Sequence, residues 1–112
     1  MKATINNNNY EFVNESFNTY RNWGHKTKLY KNSQLISEGK CIYLNRTWEA
    51  YQYQSVMRVA IDNLMEEEVK DLISDYKESK SIKRLSKDTK EMLIRDYKLS
   101  SELEELKNKL KF

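Results

Sequence analysis

Apolar and polar residues alternate in short runs over the first 44 positions, and the pattern then changes to steps of three and four. The segments KATI (2–5), YEFVNESFNTY (10–20), HKTKLYK (25–31) and LISEGKCIYL (35–44) read as four strands. In the third, Thr27 and Leu29 fall on one face and Lys26, Lys28 and Tyr30 on the other. In the fourth, Cys41 and Tyr43 fall opposite Ile42 and Leu44. Between them lie four asparagines (Asn6 to Asn9), RNWG (21–24) and KNSQ (31–34), which read as turns. Short strands joined by tight turns predict an antiparallel meander.

From residue 45 the period is helical. Tyr53, Val56, Met57, Ala60 and Leu64 recur at steps of three and four, and Val69, Leu72, Ile73 and Tyr76 continue the stripe. Asn45 or Thr47 is placed to cap such a helix by accepting from its first N–H groups. SKSIKRLS (79–86) lacks an apolar face and reads as a linker, after which Ser86 caps a helix containing Met92, Leu93, Ile94 and Tyr97. Ser101 and Glu104 form the S-x-x-E pattern of a capping box. The expected fold is α+β in a single domain: an antiparallel sheet of three to four strands over 1–44, a long helix packed on it over 45–78, and a C-terminal helical pair over 86–112. Tyr10, Phe12, Leu29, Ile42 and Leu44 are the expected sheet residues beneath the helix.

Composition sharpens this outline. Proline is absent and there are only two glycines, Gly24 and Gly39, so asparagine is expected to supply the turns, with Gly24 at a positive φ. Leu99, Leu103, Leu106 and Leu110 lie at steps of four, three and four, and Leu85, Met92, Leu99 and Leu106 lie seven apart. Either a helical hairpin folding back on its neighbours or a homodimer through Leu99, Leu103, Leu106 and Leu110 explains that spacing. Neither a secretory signal nor an apolar run of membrane-spanning length occurs, so a soluble, cytoplasmic protein is expected.

Net charge is +3, but residues 1–48 carry seven Lys and Arg against three Asp and Glu, while the remainder is nearly balanced. Lys26, Lys28, Lys31, Lys40, Arg21 and Trp23 therefore form a candidate nucleic-acid-binding set on a basic, aromatic sheet, since cations neutralise phosphates and rings stack on unpaired bases. The same lysines also fit an ordinary solvated outer face. No catalytic set emerges: His25 and Cys41 are the only residues of their kinds, and neither has the partners that nucleophilic or metal chemistry needs. The acidic run Glu66, Glu67, Glu68, with Asp71 and Asp75, splays around a helix axis rather than converging on an ion. A protein without enzymatic activity, cofactor or metal is expected.

The stretch YLNRTWEAYQYQSVM (43–57) resembles a segment of small proteins carried by phages and mobile elements of Gram-positive bacteria. The likeness spans about residues 10–65 and rests on Tyr43, Asn45, Arg46, Thr47, Trp48, Glu49, Tyr51, Tyr53 and Gln54. Proteins of this kind sit among accessory genes that include anti-CRISPR inhibitors of Cas9. The resemblance implies a counter-defence protein that inhibits a host nuclease, Cas9 first, by binding it or its guide RNA complex. Arg46, Tyr51 and Gln52, with the acidic helix face at Glu66, Glu67 and Asp71, are the candidate partner-binding residues.

Overall fold

Two asparagine- and serine-containing turns set the register of the sheet. The computed structural model describes residues 1–18, 23–43 and 51–110, with the side chains of Tyr43, Tyr51 and Gln52 outside that set. Four strands, β1 (Lys2–Ile5), β2 (Asn8–Asn18), β3 (Trp23–Lys31) and β4 (Gln34–Tyr43), form one antiparallel sheet in the order β1-β2-β3-β4. Ile5 pairs with Asn8 and Lys31 with Gln34, leaving two-residue loops at Asn6–Asn7 and Asn32–Ser33. All four loop residues have positive φ (51°, 67°, 50° and 68°), the geometry that matches a two-residue hairpin to strand twist. Asparagine does replace glycine here. Asn32 also ties its loop to the start of β2: its side-chain Oδ1 accepts from the Asn9 N–H at 2.9 Å and its side-chain amide donates to Asn8 Oδ1 at 3.1 Å.

Gly24 departs from expectation. It lies within β3 rather than in a turn, and no glycine has positive φ among the described residues. Its requirement is space: a Cβ there would stand 2.0 Å from the Cys41 carbonyl oxygen and 3.0 Å from the Phe17 ring.

The helix α1 (Tyr51–Lys80) crosses the sheet face formed by Tyr10 and Phe12 of β2 and His25, Thr27 and Leu29 of β3. Its buried stripe is Val56, Met57, Ala60, Ile61 and Met65. The expected cap residues, Asn45 and Thr47, and Leu44 lie outside the described residues. Gly39 lets α1 rest directly on β4, since a Cβ at that position would meet the Val56 carbonyl oxygen at 2.4 Å. Ser37 donates to the Ala60 carbonyl at 2.7 Å and Asn63 to the Glu38 carbonyl at 3.1 Å, fastening the same contact. Because small residues face the helix on β4, the expected inward position of Ile42 is wrong. Ile42 points to the outer face and is 51% exposed.

α1 ends in a Schellman-type turn: the Ser81 N–H bonds the Glu78 carbonyl, the Ile82 N–H bonds the Lys77 carbonyl, and Ser81 takes φ 54°. Ser86 caps α2 (Lys87–Ser100), accepting from the Thr89 N–H at 3.2 Å. Ser101 caps α3 (Glu102–Lys109) through the Leu103 N–H at 3.1 Å. α3 turns back beneath the sheet, and Leu103, Leu106 and Leu110 join Ile5, Ile61 and Met65 in the core. Lys107 pairs with Asp62 of α1 at 2.8 Å, and the Gln54 amide donates to the Leu110 carbonyl. Three of the four leucines expected at a dimer seam are thus buried within one copy. Leu99 stays outside, 82% exposed.

Candidate functional site

The period-2 geometry of β2, β3 and β4 decides where the basic residues go. Lys26, Lys28 and Lys40 share the outer face of the sheet with Val13, Tyr30, Leu35 and Ile42. Trp23 and Lys31 occupy the opposite register and lie on the helix side, while Arg21 is outside the described residues. The outer face is not uniformly basic. Glu11, Glu15 and Glu38 are interleaved on it, Lys26 pairs with Glu15 at 3.3 Å, and Lys40 stands 4.9 Å above the Phe17 ring. The structure therefore brings together three members of the proposed nucleic-acid set and separates Trp23 and Lys31 from them.

On the helix side Trp23 meets the His25 ring edge-on at 5.9 Å, and Tyr53 meets it at 4.3 Å. His25 is fully buried, and desolvation holds its pKa below the ordinary value, keeping the imidazole neutral. It is a core residue, not a surface strand-start residue as its place beside a turn suggests. Tyr53 and Gln54 belong to the aromatic stretch that begins α1, and both act inside the fold: Tyr53 on His25, Gln54 on the end of α3.

The other partner-binding candidates do not form one cluster. Arg46 is outside the described residues. Tyr51 and Gln52 are described by their backbone alone, in the first turn of α1. Glu66, Glu67 and Asp71 are exposed on α1 beyond the edge of the buried stripe, and Glu66 pairs with Lys70 at 3.5 Å. An i,i+4 pair so exposed contributes little to stability, which leaves this face available for contact.

A polar cluster joins the sheet to the C-terminal helices. The Tyr10 hydroxyl donates to Glu102 at 2.6 Å, the Asn8 amide donates to the same carboxylate at 3.0 Å, and the Tyr97 hydroxyl donates to Glu68. Tyr10, Lys31, Glu68, Tyr97 and Glu102 line a cleft of about 240 Å³. Burial, then the bond to Glu102, raises the Tyr10 pKa far above its usual value, and burial with the Glu68 bond pushes Tyr97 up to about 12. The bond from Tyr10, reinforced by Asn8, holds the Glu102 carboxyl below the usual range. All three groups are thereby moved away from proton exchange near neutral pH, so the cluster suits fastening α3 to the sheet and α2 to α1 better than acid–base chemistry. Sequence reasoning missed it because Tyr10 and Glu102 are 92 positions apart and no local spacing links them.

No protein family, curated protein or solved structure matches the chain. Geometry alone bears on the site. Among the described residues no group of three His, Cys, Asp or Glu side chains could hold a metal ion, and no helix is long and apolar enough to cross a membrane.

The most distinctive surface is the helical arm made by the distal half of α1 and by α2. From residue 66 to residue 102 no side chain is buried. Val69, Leu72, Ile73 and Tyr76 of α1, and Leu93 and Ile94 of α2, are only half-buried, and Tyr97 packs against the edge of the core. Thirty residues of α1 span about 45 Å at 1.5 Å each, nearly the molecule's longest dimension of 50 Å. The sheet covers only the first half of that length, so the arm projects beyond it.

Proposed function

We propose that this protein acts by binding another macromolecule without catalysing a reaction on it, and that the helical arm over residues 66–100 is its principal contact surface. One observation carries the proposal: a 35-residue arm of two helices joined by a short turn has none of its side chains buried, while sheet, proximal α1 and α3 form an ordinary packed core. Ordering a segment costs backbone entropy of about 1–2 kcal/mol per residue. A contact surface repays that cost by covering the half-buried apolar stripe, and Glu66, Glu67 and Asp71 at its base supply charge for orientation.

The partner class we propose comes from the resemblance of residues 10–65 to phage and mobile-element proteins, a segment that ends before the arm: a host defence nuclease, with Cas9 or its guide RNA complex first among candidates. An inhibitor of that kind occludes a channel or a nuclease domain and needs no catalytic groups of its own. Purified protein added to Cas9 orthologues, followed by pull-down and a DNA-cleavage assay, tests this. Complex formation with loss of cutting is expected; full cutting with no complex across the orthologues would reject the nuclease assignment.

The alternative, nucleic-acid binding by the sheet, draws support from Lys26, Lys28 and Lys40 sharing one exposed face. Three interleaved glutamates and the pairing of Lys26 with Glu15 weaken that face as a phosphate track. Replacing the three lysines with Glu should abolish any low-salt mobility shift of DNA or RNA if this alternative holds. Absence of a shift by the unaltered protein ends it.

A further inference from the structure

Charge is segregated along the arm. Residues 66–79 carry six Asp and Glu against two Lys, whereas residues 80–90 carry five Lys and Arg against one Asp. Those five, Lys80, Lys83, Arg84, Lys87 and Lys90, are all exposed, and none has an ion-pair partner among the described residues. α1 ends at Lys80, the chain turns over 81–86, and α2 runs back until Tyr97 reaches Glu68. The five cations therefore gather at the tip of the arm, at the end away from the sheet. Backbone bonds from Ile82 to Lys77 and from Thr89 to the Ser86 hydroxyl order the turn that carries them.

Helix stability does not account for this placement. Lys80 suits the C-terminus of α1, but Lys87 and Lys90 occupy the first turn of α2, where the positive end of the helix dipole disfavours cations. Lys83 and Arg84 are adjacent and repel each other with no carboxylate paired to either. Gathering these charges costs the fold energy that nothing within it offsets.

We infer that the tip docks on the phosphate backbone of a nucleic-acid duplex, through charge and without reading base identity. Charge complementarity selects this occupant: a duplex carries the densest row of phosphates, and Arg84 among the lysines supplies a fork that binds phosphate through two N–H groups. Residues 80–90 contain no aromatic ring on which an unpaired base could stack. Ile82, 41% exposed, is the tip's one exposed large apolar side chain, too little to enter a bilayer. The inference deepens the reading of the arm as a contact surface by naming what its tip takes, and does not rest on the nuclease assignment.

Fluorescence anisotropy of labelled DNA and RNA duplexes of mixed sequence, titrated with the whole chain at salt from about 50 to about 200 mM, tests it. Binding of either duplex should weaken about a hundredfold over that range, as about four phosphate contacts at a slope of about −0.9 each require. Lys83→Gln, Arg84→Gln and Lys87→Gln together should flatten the slope by about three. Lys87→Glu with Lys90→Glu should weaken binding tenfold or more at low salt without lowering the thermal unfolding midpoint, since acids suit the start of α2. Lys26→Gln, Lys28→Gln and Lys40→Gln, on the sheet, should leave the slope unchanged. The inference is overturned by absence of binding to both duplexes, by a slope that the tip variant keeps or the sheet variant loses, or by tighter binding to phosphatidylserine vesicles than to duplex at the same salt. Such a failure, with guide-loaded Cas9 still bound more weakly by the Glu66→Lys, Glu67→Lys and Asp71→Lys variant, rejects the tip assignment and leaves the arm reading standing.

Discussion

Gly39→Ala sets two physical effects against each other and shows which one governs the sheet–helix contact. In an ordinary strand this change stabilises by roughly 0.5–1 kcal/mol, because glycine loses more freedom on folding. Here the added Cβ would stand 2.4 Å from the Val56 carbonyl oxygen and 2.7 Å from the Ala60 nitrogen. Both are helix backbone, and both distances fall roughly 1 Å short of ordinary van der Waals contact. No side-chain rotation relieves such an overlap, so α1 must lift from β4. Lifting stretches the Ser37 bond to the Ala60 carbonyl at 2.7 Å and opens the layer beneath Val56 and Ala60, both fully buried. Overpacking costs about 1–3 kcal/mol and a buried hydrogen bond about 1 kcal/mol, so after the propensity gain a net loss of about 2–3 kcal/mol is expected. Equilibrium urea unfolding followed by circular dichroism reads this as a midpoint lowered by about 1–2 M. A variant as stable as the parent, or more stable, would refute the close approach of α1 to β4.

Three further outcomes follow from local geometry. Ser81→Gly should raise stability by about 1 kcal/mol, because φ 54° is strained for serine and free for glycine; thermal unfolding gives the sign. Stability should decline as pH falls below the unfolded-state value for histidine, near 6.5: the native His25 pKa is lowered, so the unfolded chain takes up the proton first, and the contribution is complete only above that pH. His25→Phe should flatten the urea midpoint between pH 6.5 and about 5, even if it changes overall stability. Glu102 acts in a lower window. Its native pKa is depressed, so its share of stability is present above the unfolded carboxylate value and is lost as pH falls through the native one. Tyr10→Phe should shrink that acid-side loss, measured by the same titration.

The elements were legible because each rests on local pattern. Alternation in 25–31 correctly put Thr27 and Leu29 on one face and Lys26, Lys28 and Tyr30 on the other, and the steps from Val56 to Ala60 marked the buried side of α1. Ser86 and Ser101 announced both later helices, and the asparagine runs announced the first hairpin. What failed depends on packing between distant segments. Ile42 faces outward because α1 comes so close to β4 that only Ser37, Gly39 and their neighbours fit beneath it. The leucine spacing from 99 to 110 continues through Ser101 in the sequence, yet the chain turns there, sending Leu103, Leu106 and Leu110 into the core and leaving Leu99 in solvent. The Tyr10–Glu102–Asn8 cluster left no trace at all, since hydrogen bonds between residues more than 90 positions apart have no periodicity.

Binding of a partner by the arm over residues 66–100, as proposed above, is read by a titration with paired variants. Cas9 orthologues loaded with guide RNA would be titrated with the unaltered chain and with a variant carrying Glu66→Lys, Glu67→Lys and Asp71→Lys, three exposed substitutions that leave the core intact. The unaltered chain should form a complex and suppress cutting in proportion to the amount added, while the variant should bind at least tenfold more weakly. Inhibition by the variant equal to that of the unaltered chain would contradict the assignment of the arm, and absence of any complex would contradict the assignment of the partner.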